Sequence, residues 1–328
     1  MSESASGPLS ETPPVPEDVI MEAGQLIPAV APVPGAPAGL GGGTAAGRRR
    51  SDFVYYGLRN KKLVFGLGLE LLLVLFAIIG PMIAKYGPEV FTGAQLKHPN
   101  GTYWLGTNTL GNDIFSQLAN GLRESYLVGL LGAVSAAVIG MALGFAAGWR
   151  GGILDEVLQM ITNIVVMMPS LVLLVVIGSY LTSKSVLFEG IFIGLTTWPW
   201  VARAVRAQTF SLRSREFVEL ARLSGKRPLQ IIVRDIAPNM ASYLVLVVIL
   251  LFGSSMLLAA SYDFLGLGPT GIVSLGTMMN QAQNEAALLY HEWWWFIPPG
   301  VVLTLMVVAL LVANLGLDEV FNPKLREQ

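Results

Sequence analysis

Six stretches of the chain are each mostly apolar for about 20 residues, the length a helix needs to cross the hydrocarbon layer of a bilayer. They run Leu63–Ala84, Ser125–Trp149, Val157–Leu181, Val186–Ala207, Tyr243–Tyr262 and Trp294–Gly316. No water reaches that layer, so each segment must satisfy its own backbone hydrogen bonds. The runs therefore predict an all-α, polytopic membrane protein with about six transmembrane helices. A chain that is 53% hydrophobic and only 13% charged belongs to the same class.

The few charges orient the spans. Six crossings place both termini on one side, and short cytoplasmic loops are enriched in Lys and Arg. Arg48–Arg50, Arg59, Lys61 and Lys62 precede the first span, Arg150 separates the second from the third, and the fourth-to-fifth connection holds most of the rest, from Arg203 to Arg234. The opposite face balances Lys85, Lys97, Arg123 and Lys184 against Asp113, Glu124, Asp263, Glu285 and Glu292. Both termini are thus expected in the cytoplasm of a multi-pass protein of the cell membrane. Residues 1–58, rich in Pro, Ala, Gly and Ser, read as a disordered cytoplasmic tail rather than a signal peptide, and 59–328 as the membrane domain. With no cysteine and two histidines, thiol chemistry is excluded and a histidine-rich metal site is not expected.

Between the fourth and fifth runs lies a polar island, ELARLSGKRPLQIIVRDIAPN, which carries Arg222, Lys226, Arg227 and Arg234. Glu216, Glu219 and Arg222 recur at helical spacing with Phe217, Leu220, Ala221 and Leu223 on other faces, a short amphipathic helix. Gly225 suits a left-handed cap, and Pro228 prevents simple continuation. Leu229, Ile231, Ile232 and Ile236 then recur until Pro238. Two short helices joined at a glycine bend make a knob suited to another protein's groove; the alternative is a plain solvated connection.

Glu219-Leu220-Ala221, followed after three residues by Gly225 and later by Ile236-Ala237-Pro238, resembles the EAA loop of bacterial ABC-importer permeases, with Leu220 and Ala237 departing from its commonest residues. From Leu63 onward the chain is similar to one subfamily, the second (C-type) permease subunit of dipeptide and oligopeptide importers. Tyr103–Gly129 resembles that family's stretch leading into the second span, with Asn108, Asn112 and Gln117 in place of its usual Asp, Arg and Arg. MPSLVLLVV, WPWVARAVRAQTFSLRSREFVELAR and YDFLGLGPTG follow in the family's order.

The resemblance implies the type I importer permease fold, with the loop at about 207–240 seated in a cytoplasmic ATPase subunit and Glu219, Ala221, Arg222, Gly225, Ile236 and Pro238 as its coupling residues. The partners implied are a homologous second permease, cytoplasmic ATP-binding cassette subunits and an extracytoplasmic substrate-binding protein, within membrane lipid and without nucleic acid. The implied substrates are peptides; oligosaccharides and metal chelates are carried by the same permease type, and the sequence holds no substrate code that separates them.

No phosphate-cradling G-x-x-x-x-G-K-[ST] occurs: Gly225-Lys226 lacks both the preceding glycine and the hydroxyl residue. The chain is therefore expected to be neither an enzyme nor the holder of a cofactor, ATP being bound by the partners. Polar residues within the spans, Thr162, Asn163, Ser170, Thr196, Thr197, Ser254 and Ser255, are the candidates for a translocation path. Glu70 reads as the one clear acidic residue at depth, with a structural partner or a snorkelling role, thin support for a secondary transporter. Gly140, Gly144 and Gly148 predict close helix approach, and Pro169 and Pro199 predict kinks. Tyr86–Glu124 is long enough for an amphipathic segment on the membrane, and Trp293–Trp295 read as an interfacial anchor.

Overall fold

The computed structural model describes residue 55, residues 57–180 and residues 184–321. All but the last residues of the N-terminal tail lie outside this range, as does Leu181. The helices are α1 (Lys61–Ile83), α2 (Ile114–Arg150), α3 (Gly152–Met167), α4 (Ser170–Tyr180), α5 (Val186–Leu212), α6 (Glu216–Leu223), α7 (Pro228–Ile231), α8 (Ala237–Asn239), α9 (Ala241–Phe264), α10 (Leu275–Asn284) and α11 (Trp293–Phe321). A π turn, Ile232–Ile236, joins α7 to α8.

α1, α2, α9 and α11 are each long and apolar enough to cross a membrane. The third expected span is not one continuous helix: α3 and α4 form a bent pair with 83° between them, which together can make a fifth crossing. Pro169 is the cause. It lacks an amide hydrogen, and its ring forces the preceding residue out of helical dihedrals, so Met168 sits at φ −89°, ψ 126°. α5, the fourth expected span, continues for 27 residues as one helix with Pro199 inside it, but it is not among the apolar crossings because Thr196 to Trp200 dilute it. Its place is set by packing instead: Ile193, Val201 and Val205 are completely buried.

The most extensive helix contact joins α2 to α5. The glycine series makes it possible, since Gly140, Gly144 and Gly148 face Val201, Val205 and Thr209. A Cβ on Gly144 would lie 2.7 Å from the Ala202 carbonyl oxygen and 2.8 Å from the Val205 Cβ. α1 lies on α11 in the same manner, Gly66 against Ala313 and Gly316 against Leu63. Their ends are clamped where Glu319 accepts hydrogen bonds from Asn60 at 2.8 Å and Lys62 at 2.5 Å.

At the end away from the polar island, the structure departs from the expected membrane-surface segment. α2 begins at Ile114, well before Ser125, and Ile114, Leu118 and Leu122 are buried against Leu275, Met278, Trp294 and Trp295. Of Tyr86–Glu124, the part up to Asp113 is therefore a run of turns and the rest is the first turns of α2, all part of one cap with α10. Nor do three tryptophans anchor the interface. Consecutive helical residues point about 100° apart, so they cannot all face lipid. Trp293 is exposed, whereas Trp294 and Trp295 are core. The Trp294 indole donates to the Thr107 carbonyl at 3.3 Å, and its ring centre lies 4.3 Å from that of His98.

Asp113 caps α2, its carboxylate accepting from the Ser116 N–H at 3.1 Å. Burial pushes this carboxyl above the usual carboxylate range, opposed by the N–H groups of Ser116 and Phe115. Asp113→Ala is expected to cost about 1 kcal/mol, read as a lower Tm in detergent, while Asp113→Asn, still a capping acceptor, retains most of the stability.

Candidate functional site: a helical knob and a membrane cavity

The polar island folds as two limbs. α6 ends in a left-handed turn, where the Gly225 N–H donates to the Arg222 carbonyl at 3.0 Å and the Lys226 N–H to the Ala221 carbonyl at 3.2 Å. Gly225 has φ +74°, and no atom lies within 4 Å of where its Cβ would be, so glycine is needed here for its dihedral and not for space. Pro228 opens the second limb at the first helical position, where a missing N–H costs nothing. Lys226 ties the bend to that limb through Asp235 Oδ1 at 2.8 Å.

One face of the knob is fixed to the bundle. Val218, Ala221, Ile231 and Ile236 are buried together with Val201, Val205, Val247 and Leu251. The other face carries Leu220, Leu223 and Leu229, exposed to 64%, 85% and 71%, between Glu219, Arg222, Lys226 and Arg227. Leu220 and Leu223 are three apart and share one stripe of α6. An exposed apolar patch with a polar rim is the signature of a docking surface.

The basic residues around it are pinned rather than loose. Arg213 donates to the carbonyls of Gly148 and Trp149, both at 3.2 Å, which closes the end of α2. The Arg222 guanidinium lies 4.8 Å over the Trp149 ring. Arg206 forms a two-point ion pair with Asp155 of α3, with Nη2 at 2.5 Å from Oδ2, and Arg203 donates to Asn163 at 2.7 Å. The knob is thus braced on α2 and α5, with α3 bolted alongside.

Of the six residues singled out here from the sequence, Glu219, Arg222 and Pro238 are exposed and Gly225 makes the bend, while Ala221 and Ile236 are buried anchors that no partner can touch. Leu220, Leu223 and Leu229, the exposed apolar residues of the knob, were not singled out. The signal for the first two was present, because on α6 Leu220 and Leu223 fall away from Val218 and Ala221, but which stripe faces the bundle is not a local property.

A cavity of about 520 Å³ lies between the α3–α4 break, α5, α9 and α11. Ser170, Thr196, Thr197 and Ser254 line it among apolar side chains that include Trp200 and Leu310. Three of these hydroxyls turn back on their own helices, Thr196 and Thr197 to the Ile193 carbonyl at 2.9 and 2.8 Å, and Ser254 to that of Leu251 at 3.0 Å. The wall therefore offers few strong polar contacts. The remaining three candidates lie elsewhere: Thr162 is buried and bonded to the Leu158 carbonyl, Asn163 holds Arg203, and Ser255 packs against Gly132.

Glu70 rests against Tyr126 of α2, yet it is not alone at depth. Glu189 in α5 and Asp263 in α9 are 6% and 2% exposed. Glu189 falls near the start of the fourth expected span and Asp263 just past the end of the fifth, so the sequence reading passes over the first and counts the second with a loop.

A membrane helix bundle with a cavity between its spans and an apolar-tipped knob at one end has the parts of a transport subunit that answers to a partner. The chain belongs to the family described as binding-protein-dependent transport system inner membrane component, whose model matches residues 140–327. The N-terminal TM domain of oligopeptide transport permease C matches residues 52–99. The chain is 32% identical over 284 residues to the oligopeptide transport system permease protein OppC of Mycobacterium tuberculosis (strain ATCC 25618 / H37Rv), covering 85% of this chain and 96% of the relative. It is 32% identical to OppC of Bacillus subtilis (strain 168), over 82% of this chain and 87% of that one. Against the dipeptide transport system permease protein DppC of Alkalihalophilus pseudofirmus the identity is 32%, over 64% and 69% of the two chains. Members of the family are membrane-spanning, non-catalytic permease subunits of ABC transport systems.

Proposed function

We propose that the chain is the C-type permease of an ATP-driven importer of dipeptides or oligopeptides and forms half of its translocation channel. The observation that carries this reading is the braced knob, with three exposed leucines held at the end of the α5–α9 pair in a chain whose relatives are named for peptide transport. The knob seats in a cytoplasmic ATP-binding cassette subunit, which binds the ATP; a homologous permease completes the channel, and an extracytoplasmic binding protein delivers substrate. The knob side and both termini are cytoplasmic, with 1–58 a tail and 59–328 the permease domain. Coupling needs a rigid element that reports one state of its partner better than another. Here Leu220, Leu223 and Leu229 make the contact with Glu219 and Arg222 at its rim, Gly225 and Pro238 set the bends, and Ala221 and Ile236 carry the displacement inward.

The path runs through the cavity at Ser170, Thr196, Thr197 and Ser254. Walls with few free polar groups bind cargo weakly, which leaves selectivity to the binding protein; Thr162, Asn163 and Ser255 serve helix packing. The test is uptake by the assembled transporter in proteoliposomes with its binding protein, offered labelled peptides, oligosaccharides and metal chelates. ATP-dependent peptide uptake is expected; uptake of sugar or chelate alone, or uptake without ATP, overturns the reading. Ser254→Phe is expected to fill the cavity and reduce uptake to background while the ATPase subunit still co-purifies.

A further inference from the structure

Glu189 of α5 and Asp263 of α9 meet at the end of the bundle opposite the knob, with their carboxyl groups within hydrogen-bonding reach of each other. The Ser274 hydroxyl donates to Asp263 Oδ2. Asp263 Oδ1 and both Glu189 oxygens receive no hydrogen bond from any described donor. Neither residue takes part in an ion pair among the described residues.

Among the described residues no cation lies within ion-pair distance of either carboxylate. α9 adds Tyr262, α4 adds Leu174 and Gly178, α2 adds Val128, and α10 brings Gly276 against the Asp263 Cβ. Lys184, beyond ion-pair distance, stands at the rim of a small cavity of about 20 Å³ bounded by Glu189, Phe188 and Tyr262. A space of that size has room for about one water molecule. Two bare carboxylates shut away from water repel each other and forfeit their hydration, and a contact between two carboxyl groups is attractive only when one of them donates.

We propose that Glu189 and Asp263 bind one proton between them, forming an acid–carboxylate hydrogen bond that ties α5 to α9. These two helices enter and leave the knob. In the orientation proposed above, the tie sits at the outer ends of the same two levers whose inner ends the ATPase would move, and the single-water cavity gives the proton its route to the outer solution. Separation of the outer ends then requires breaking this bond. The tie exists only with its proton in place, so it is present at low pH and lost as pH rises.

The test uses the assembled transporter in lipid nanodiscs, compared at about pH 6 and about pH 9, both above the range where exposed carboxyls titrate. Infrared spectra of the native complex are expected to contain a protonated-carboxyl C=O band that is lost at the higher pH and is missing from Glu189→Gln at both. Spin labels on the outer ends of α5 and α9 are expected to move apart as pH rises in the native chain. In Glu189→Gln and in Asp263→Asn, whose amides donate in place of the proton, the labels are expected to stay together at both pH values. A Glu189→Gln spectrum that keeps the full native band, or variants whose label distances follow the native pH response, overturns the proposal. Neither readout depends on peptide uptake, so this inference and the importer reading can fail separately.

Discussion

Leu223→Asp is expected to leave the permease folded and to abolish both ATPase capture and uptake. The side chain is 85% exposed, so the isolated fold loses almost nothing, and a surface change of this kind stays within about 0.5 kcal/mol. In a docked complex the leucine is worth about 1.5–3 kcal/mol of burial, and a buried, unpaired carboxylate adds a further penalty of several kcal/mol. Together these weaken association by roughly a thousandfold or more, since each 1.4 kcal/mol is about a factor of ten. Titration of the ATPase subunit against native and variant permease reads the loss. Val218→Asp serves as the counterpart: Val218 is fully buried under the knob, so that variant is expected to destabilise the knob itself and lower Tm. Unimpaired coupling in Leu223→Asp would mean that the leucine face is not the docking surface.

The second large effect is structural. Gly144→Leu is expected to prevent recovery of folded permease, because even its first added carbon has no room between the Ala202 carbonyl and Val205. Overpacking costs about 1–3 kcal/mol where neighbours can shift. Here the obstacle includes backbone on a second long helix, so relief requires α2 and α5 to move apart along their whole seam, and the cost lies at or above the top of that range. Gly68→Ala in α1 is the control. Nothing lies within 4 Å of its Cβ, and the exchange favours the helix by up to about 1 kcal/mol. Yield and Tm of monodisperse protein after extraction decide the matter; native-like Gly144→Leu protein would show that the seam is looser than its geometry.

The two carboxylates and the tryptophan run show where linear reading failed and why. Glu189 and Asp263 were hidden because each, taken alone, borders a connection; their burial arises only when α5, α9 and the turn carrying Ser274 come together. Trp294 and Trp295 were assigned to the interface because tryptophan favours it, and tertiary packing overrode that preference, Trp294 against His98 and Thr107 and Trp295 within the buried cluster around Ile114. For the path, composition could name seven hydroxyl or amide residues, but only packing divided them into those on the cavity and those such as Ser255 that seal a glycine contact.

By itself the sequence determined the elements that depend on neighbours along the chain: the apolar runs, the break at Pro169, the left-handed turn at Gly225, the proline that opens the second limb, and the small-residue register of α2. Backbone dihedral limits, hydrogen-bond satisfaction in lipid and the 3.6-residue period act over a few residues, so they can be read from a few residues. Only the tertiary structure decided which stripe of each helix is covered, and with it that Leu220, Leu223 and Leu229 face outward, that α5 is held by packing more than by apolarity, and that two distant carboxyl groups meet. Those outcomes are set by contacts between segments far apart in the chain, where many surfaces are apolar enough to pack and shape decides among them.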